Sequence, residues 1–219
     1  GSLPTSQEQT GRSGSSQFAE GYRRCGDWRL ESVQSPADQM RSLRSPPLPP
    51  GRDFADVYDV WLIVDGREQF STSIGGQRLS KPDALEHHID RIRACNVKVE
   101  KRQLPAGDAC WIAKSKLNPG EEYVLDALLE RKSVSDLEGS IKSKRADTQK
   151  YYMKTSGLRM LYYLVEGHPH TLHSPHMQKA VKTVIVQNEI IHGYRVLRTE
   201  NPHQSHHMLA NVRSLPLPN

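Results

Sequence analysis

The sequence predicts an α/β fold in which a mixed central sheet of about five to six strands is flanked by helices in three layers. Two observations predict it. Short apolar runs of strand length, rich in β-branched and aromatic residues, share the chain with segments whose apolar residues recur at helical spacing. These segments place helices between some strands and leave other strands in succession, an order that favours a mixed sheet covered on both faces. No internal repeat divides the chain.

The first predicted elements are a buried strand and an amphipathic helix. Residues 57–64 form a β-branched and aromatic run, and the charged stretch from Asp65 to Glu68 ends it. Residues 81–95 carry apolar side chains at helical spacing. Pro82 lies near the start of this helix, where its missing N–H costs nothing.

Three strands separated by turns are predicted next. Residues 97–104 and 108–113 are joined by the turn residues 105–107, Pro-Ala-Gly, and are interpreted as a hairpin. Residues 118–120, Asn-Pro-Gly, form a second turn before a strand at 123–132.

The second half of the chain mixes helices with strands. Ser133 is a suitable N-cap for a helix through Ser143, and a basic helix is predicted over residues 144–156. The elements that follow are a buried strand at 160–166, a helix at 175–191, a short strand at 194–198 and a helix beginning near Asn201.

Composition divides the chain into an arm, a domain and a tail. Residues 1–52 are rich in Ser, Gly, Pro, Gln and Arg and are expected to form a disordered arm or linker. Residues 53–212 are the expected folded domain, and residues 213–219 a tail. The net charge of +5 suits a phosphate-rich partner. Three cysteines without paired spacing argue against a disulfide scaffold, and no apolar run is long enough for a membrane span, so an intracellular protein is expected.

Acidic residues lie at the ends or starts of three predicted strands. Glu130 and Lys132 project from one face of their strand, because side chains two positions apart do so. Asp108 starts the neighbouring strand, while Asp65 and Glu68 follow the first strand at its carboxyl edge. Carboxylates hold hard divalent ions such as Mg²⁺, and an ammonium group can orient water or stabilise phosphate charge. The pattern therefore predicts metal-dependent hydrolysis of phosphodiester bonds.

Basic residues cluster in the sequence that follows this site. They can form a surface that tracks the phosphate backbone of a duplex. They are Lys142, Lys144, Arg145, Lys150, Lys154 and Arg159.

The same residues resemble the signature of the XPF family of nucleases. That signature is Gly-Asp, a variable stretch, Glu-Arg-Lys, three residues and Asp, together with an earlier Asp-x-Arg-Glu element. The matching blocks are Asp65-Gly66-Arg67-Glu68, Gly107-Asp108, and Glu130-Arg131-Lys132 followed after three residues by Asp136. A basic helix of the family is matched in part by Arg145, Gln149 and Lys150. The phrases at 102–108 and 162–166 are most similar to the crossover-junction branch of that family.

The resemblance implies a restriction-endonuclease-like core that depends on Mg²⁺, with Mn²⁺ as a substitute. It implies incision of branched DNA, such as 3′ flaps, nicked junctions and fork structures, during repair and recombination in the nucleus. It also implies a heterodimer with a related non-catalytic XPF-family subunit, a homodimer being the alternative. Catalytic subunits of the family usually continue into a tandem helix-hairpin-helix module, which is not present before Asn219.

Carried over residue by residue, the resemblance implies roles for the motif positions. The implied metal ligands are Asp65, Asp108 and Glu130. The catalytic set adds Glu68, Arg131, Lys132 and Asp136 to these. The resemblance and the basic surface together give the expected DNA contacts, which are Arg67, Lys142, Arg145, Gln149, Lys150 and Lys154. Arg131 faces away from Lys132 and is interpreted as pairing with Asp136, a structural role preferred to a catalytic one.

Two other functions are weighed against this one. A non-catalytic DNA-binding subunit of the same fold is disfavoured, because a scaffold has no use for Asp108, Glu130 and Lys132 at a metal edge. A homodimeric junction resolvase shares the fold class. The histidines between residues 168 and 176 have no Cys beside them and match no helix face, so they are not interpreted as a metal site.

Overall fold

The computed structural model describes residues 46–143 and 145–211, without the side chains of residues 142–148. Residues 1–45 of the expected arm and the expected tail at 213–219 lie outside the described residues. The remaining part of the expected arm, residues 46–52, contacts the domain. The hydroxyl group of Tyr58 donates a hydrogen bond of 2.7 Å to the carbonyl of Pro47.

The described helices and strands follow the predicted order. The helices are α1 (Phe54–Val57), α2 (Lys81–Arg93), α3 (Val134–Ser143), α4 (Arg145–Thr155), α5 (Pro175–Ile190) and α6 (Pro202–Ala210). The strands are β1 (Tyr58–Asp65), β2 (Ser73–Ile74), β3 (Gln77–Arg78), β4 (Lys98–Arg102), β5 (Ala109–Ser115), β6 (Glu122–Ser133), β7 (Met160–Glu166) and β8 (Arg195–Thr199). Among the described elements, α1, the β2–β3 pair and a 3-10 helix at Pro169–Thr171 had no predicted counterpart, because elements of two to four residues are too short to show a period.

The central sheet is mixed, as predicted, and has the strand order β4-β1-β5-β6-β7-β8. β1 pairs in parallel with β4 and antiparallel with β5, and β6 pairs antiparallel with β5 and in parallel with β7. The predicted hairpin of residues 97–104 with 108–113 is wrong, because β1 lies between β4 and β5. β1 carries apolar side chains on both faces, as a central strand does. The segment between β4 and β5 therefore passes over the end of β1 instead of forming a tight hairpin turn.

Helices cover both faces of the sheet and form two hydrophobic cores. On one face, Leu85 and Ile89 of α2 and Leu209 of α6 pack against strand residues such as Leu62 and Leu129. The residues that build the other core include Leu137 of α3, Met153 of α4, Val181 and Ile185 of α5, and Ile63, Ile112 and Leu128 of the sheet. The α/β three-layer prediction is therefore confirmed.

Three helices begin with the same N-terminal capping arrangement. The side chains of Ser80, Ser174 and Asn201 each accept a hydrogen bond from the third following N–H, and a proline stands in the first turn each time. The role predicted for Pro82 is therefore confirmed. None of the described helices combines the length and apolar character that crossing a membrane requires.

Candidate active site

Three strand ends meet at one edge of the sheet and bring the predicted acids together. Asp65 is the last residue of β1, and its N–H donates to the carbonyl of Asp108 over 2.8 Å. The N–H of Asp108 in turn donates to the carbonyl of Leu129 over 2.8 Å, and Glu130 follows on β6. These backbone contacts fix Asp65, Asp108 and Glu130 side by side.

Gly107 permits this approach of the β5 entry to β6. Its φ of +69° is a backbone conformation that glycine adopts readily and other residues adopt rarely. A Cβ atom at this position would lie 2.7 Å from Cδ1 of Leu128 and 3.0 Å from the carbonyl oxygen of Leu129. The glycine of the Gly-Asp pair therefore has a steric reason to precede Asp108.

All of the residues predicted as catalytic line one open cleft of about 880 Å³ at this edge. The cleft is also lined by Gln149 and by Tyr152, an exposed side chain of α4. The residues predicted as catalytic that line it are Asp65, Glu68, Asp108, Glu130, Arg131, Lys132 and Asp136.

Asp65 lies in this cleft but already has a full set of partners. Its carboxylate accepts hydrogen bonds from the guanidinium and backbone N–H of Arg67 at 2.7–3.0 Å and from the N–H of Leu104 at 3.1 Å. Burial alone would raise the pKa of Asp65, but these hydrogen bonds outweigh it and the pKa is lowered. Arg67, an expected DNA contact, is 62% exposed in its side chain and also donates to the Leu104 carbonyl.

Glu68, Asp108 and Glu130 form an acid cluster. Asp108 accepts the N–H of Arg131 over 2.7 Å. Burial raises the pKa of Asp108 well above its usual range, as do the charges of Glu68 and Glu130 and a hydrogen bond with Glu68. Burial also raises the pKa of Glu130 to about 7, although Lys132 opposes the shift. Like charges in a partly closed site disfavour one another's ionisation, which is the situation that a bound cation relieves.

Lys132 shares the site with Glu130, as the period of the strand predicts. Its ammonium group lies 3.6 Å from Oε1 of Glu130 and donates a 3.0 Å hydrogen bond to Oε1 of Gln149. Gln149, an expected DNA contact, is thus a neighbour of the lysine in the cleft. The prediction that Glu130 and Lys132 project together is confirmed.

Glu130→Gln is expected to stabilise the metal-free protein at alkaline pH. The pKa of Glu130 is about 7 in the folded state against an ordinary 4.5, so ionisation of this group lowers the free energy of unfolding. The loss is absent below pH 4.5 and reaches its full size above pH 7. The neutral amide removes this cost, about 2–3 kcal/mol at pH 8, and the gain should shrink toward pH 5. Chemical denaturation at both pH values, without divalent ions, measures it. A gain equal at both values would contradict the raised pKa.

Arg131 points to the opposite side of β6, as predicted, but not to its predicted partner. Its guanidinium bonds to Glu166 at 2.5 and 3.2 Å and to Glu68 at 2.9 Å. The predicted pairing of Arg131 with Asp136 is wrong, because Asp136 lies on the exposed first turn of α3. There it exchanges hydrogen bonds with Ser133, the predicted N-cap: its N–H donates over 3.0 Å, and it accepts the serine hydroxyl over 2.6 Å.

The expected basic surface is described only in part. Lys144 lies outside the described residues, as do the side chains of Lys142 and Arg145. Lys150 is partly buried, and the ammonium group of Lys154 lies 3.4 Å from Nδ1 of His192. Arg159 is held by the buried carboxylate of Asp126 through its backbone and side chain.

The acid cluster fits a hard divalent cation in its chemistry, since it offers carboxylate oxygens from Glu68, Asp108 and Glu130. Within residues 46–143 and 145–211, no three His, Cys, Asp or Glu side chains already form a metal-holding group. Asp65, Glu68 and Asp108 each accept at least one hydrogen bond from a protein N–H.

Glu166 is a site residue that sequence reasoning missed. It ends β7 as Asp65 ends β1, so the same signal of an acid closing a buried strand is present in the sequence. Its partnership with Arg131 has no sequence signal, because the two residues are 35 positions apart.

Known proteins resemble the domain that carries this cleft. Residues 62–212 match the ERCC4 domain family. Crossover junction endonuclease MUS81 of Arabidopsis thaliana is 40% identical over 156 residues, which are 71% of this chain and 22% of that protein. Structure-specific endonuclease subunit MUS81 of Danio rerio is 28% identical over 198 residues, 80% of this chain and 32% of that protein.

A solved structure, XPF from Aeropyrum pernix, has 19% sequence identity and a TM-score of 0.48, covering 72% of this chain and 66% of that one. The chain thus spans about a fifth to a third of the curated relatives named above. The family match extends over most of the described domain and includes every motif block of the cleft. The chain belongs to the ERCC4-domain family, which confirms the resemblance to XPF nucleases drawn from its motifs.

Proposed function

We propose that this domain is the catalytic part of a Mg²⁺-dependent endonuclease that hydrolyses phosphodiester bonds in branched DNA, with Mn²⁺ as a substitute metal. The observation that carries the proposal is the acid cluster itself. Glu68, Asp108 and Glu130 share one open cleft with Lys132, and the pKa values of Asp108 and Glu130 are raised. A non-catalytic subunit would gain nothing from holding carboxyl groups whose ionised form is disfavoured at an open edge of the sheet.

Each member of the cleft has a role that its contacts suggest. Asp108 and Glu130, with Asp65 or Glu68 beside them, offer the oxygen ligands for the metal. When bound, Mg²⁺ supplies charge stabilisation for the phosphate and lowers the pKa of a coordinated water. Lys132, held by Gln149, is placed to orient the attacking water or to stabilise negative charge developing on the phosphate.

DNA backbone contact is assigned to the rim of the cleft. The guanidinium of Arg67 binds Asp65 through Nε and Nη2, and its exposed part is the proposed phosphate contact. On the other side, α4 presents the exposed side chains of Tyr152 and Lys154. The basic positions Lys142, Arg145 and Lys150 extend the same proposal along α3 and α4.

The choice of branched DNA and of a partner rests on the relatives. Two of them are named crossover junction or structure-specific endonuclease, and the Danio rerio protein is named a subunit. The word subunit supports an assembly with a partner chain, and we propose that this partner is a second ERCC4-domain chain. A nuclear location is part of the same proposal, because it follows from the proposed role in DNA repair. The end of α5, next to the edge strand β8, exposes Val186, Ile190 and Ile191, an apolar surface suited to such a chain.

A cleavage assay on labelled DNA tests the proposed function. The chain is incubated with 3′ flap, nicked junction, fork and linear duplex substrates, alone and with a second ERCC4-domain subunit, in Mg²⁺, Mn²⁺ or EDTA. We expect cleavage of branched substrates in Mg²⁺ and Mn²⁺, and none in EDTA. Equal cleavage of linear duplex would remove the branch specificity, and cleavage in EDTA would remove the metal from the proposal.

A further inference from the structure

Arg131 is buried between two carboxylates in the described structure. Its side chain is 3% exposed, and its guanidinium lies over the ring of Phe70 at 4.6 Å. Glu166 engages Nε and Nη2, at 3.2 and 2.5 Å, while Glu68 is bound by Nη1 alone at 2.9 Å. The two acids therefore use different parts of one guanidinium.

Glu166 is itself held by a residue of α6. The hydroxyl of Ser205, a fully buried residue of α6, donates to Oε2 of Glu166 over 2.6 Å. The same hydroxyl lies 2.8 Å from the hydroxyl of Thr199 at the end of β8. Glu166 is thus anchored to the last strand and last helix that the structure describes.

We propose that Glu166 is a positioning residue for the acid cluster, acting through Arg131 on Glu68. By occupying the Nε and Nη2 pair of the guanidinium, Glu166 leaves only Nη1 for Glu68. Glu68 is then bound by Arg131 through a single oxygen, while its carboxyl group shares a hydrogen bond with Asp108 inside the cleft. The inference rests on the proposed function, since it concerns the same metal site.

The geometry of the guanidinium explains why the charge of Glu166 matters. An arginine that loses its bidentate partner presents a free planar pair of donors to the nearest carboxylate. In Glu166→Gln the nearest carboxylate is Glu68, which is also the only remaining charge partner of Arg131 among its described contacts. Glu68 is expected to turn toward the arginine with both oxygens and leave Asp108.

The test compares Glu166→Gln with wild type in the full 219-residue chain. Mn²⁺ binding to the DNA-free protein is measured by electron paramagnetic resonance, and kcat and KM are measured on a flap substrate. We expect Mn²⁺ affinity and kcat to fall roughly 10- to 100-fold, with KM for DNA unchanged. On a Glu68→Gln background, the same substitution should weaken Mn²⁺ binding little further, because both changes act on one group.

Asp126→Asn is the matched control, since Asp126 is a buried acid of β6 paired with Arg159 outside the cleft. It should lower thermal stability but leave Mn²⁺ affinity unchanged. Glu166→Gln that folds and binds Mn²⁺ as wild type does would overturn the inference, as would full additivity with Glu68→Gln. A crystal structure of the variant with Glu68 still on Asp108 would overturn it even while wild-type cleavage upholds the proposed function. A wild-type protein that neither binds Mn²⁺ nor cleaves DNA would contradict both this inference and the proposed function.

Discussion

Asp108→Asn and Glu130→Gln are each expected to reduce Mg²⁺-dependent cleavage of a labelled flap by about 10²–10³-fold or more. Each replaces a carboxylate of the acid cluster by an amide of the same shape. The amide introduced by Asp108→Asn retains an oxygen for the N–H of Arg131, so the backbone arrangement survives. What is lost is the negative charge that a divalent ion requires.

Glu122→Gln provides the control for these two variants. Glu122 lies on the same strand as Glu130, but its carboxylate bonds to Arg102 and Lys114 away from the cleft. It should leave the cleavage rate unchanged. If Asp108→Asn and Glu130→Gln both cleave at the wild-type rate while remaining folded, the assignment of the acid cluster as the catalytic site is wrong.

Arg131→Met is expected to lower the free energy of unfolding by about 3–5 kcal/mol. The substitution fills much of the volume above Phe70 but leaves the carboxylates of Glu68 and Glu166 buried without their cation. Breaking a buried pair by removing one partner is costly because the remaining charge stays desolvated. Denaturant unfolding monitored by circular dichroism measures the loss.

Arg102→Met is the matched comparison for that variant. Arg102 also bridges two glutamates, Glu100 and Glu122, but its side chain is 28% exposed and solvent screens the pair. Its loss should cost about 1 kcal/mol or less. A cost for Arg131→Met no larger than this would show that Glu68 and Glu166 are not left desolvated when Arg131 is removed.

The sequence was sufficient for the parts of the site that depend on local periodicity. The period of two along β6 correctly gave Glu130 and Lys132 a common face and sent Arg131 to the other. Ser133 could be recognised as a helix cap because capping is decided within three residues. Acids at the end or the start of apolar runs correctly identified the strand ends that meet in the cleft.

Pairing between distant segments could not be read in the same way. The turn residues after β4 suggested a hairpin, yet β1 lies between β4 and β5, and nothing local reports which strand a chain segment will pair with. Arg131 was assigned to Asp136, a near neighbour in the sequence, whereas its actual partners Glu68 and Glu166 are 63 and 35 positions away. Such contacts are set by the topology of the sheet, not by spacing along one element.

A crystal of the protein soaked in Mn²⁺, with anomalous difference density measured at the manganese edge, tests the proposed metal site most directly. We predict a peak in the cleft within coordination distance of carboxylate oxygens of Asp108 and Glu130. A peak among the histidines of the 168–176 segment, with no density in the cleft, would contradict it.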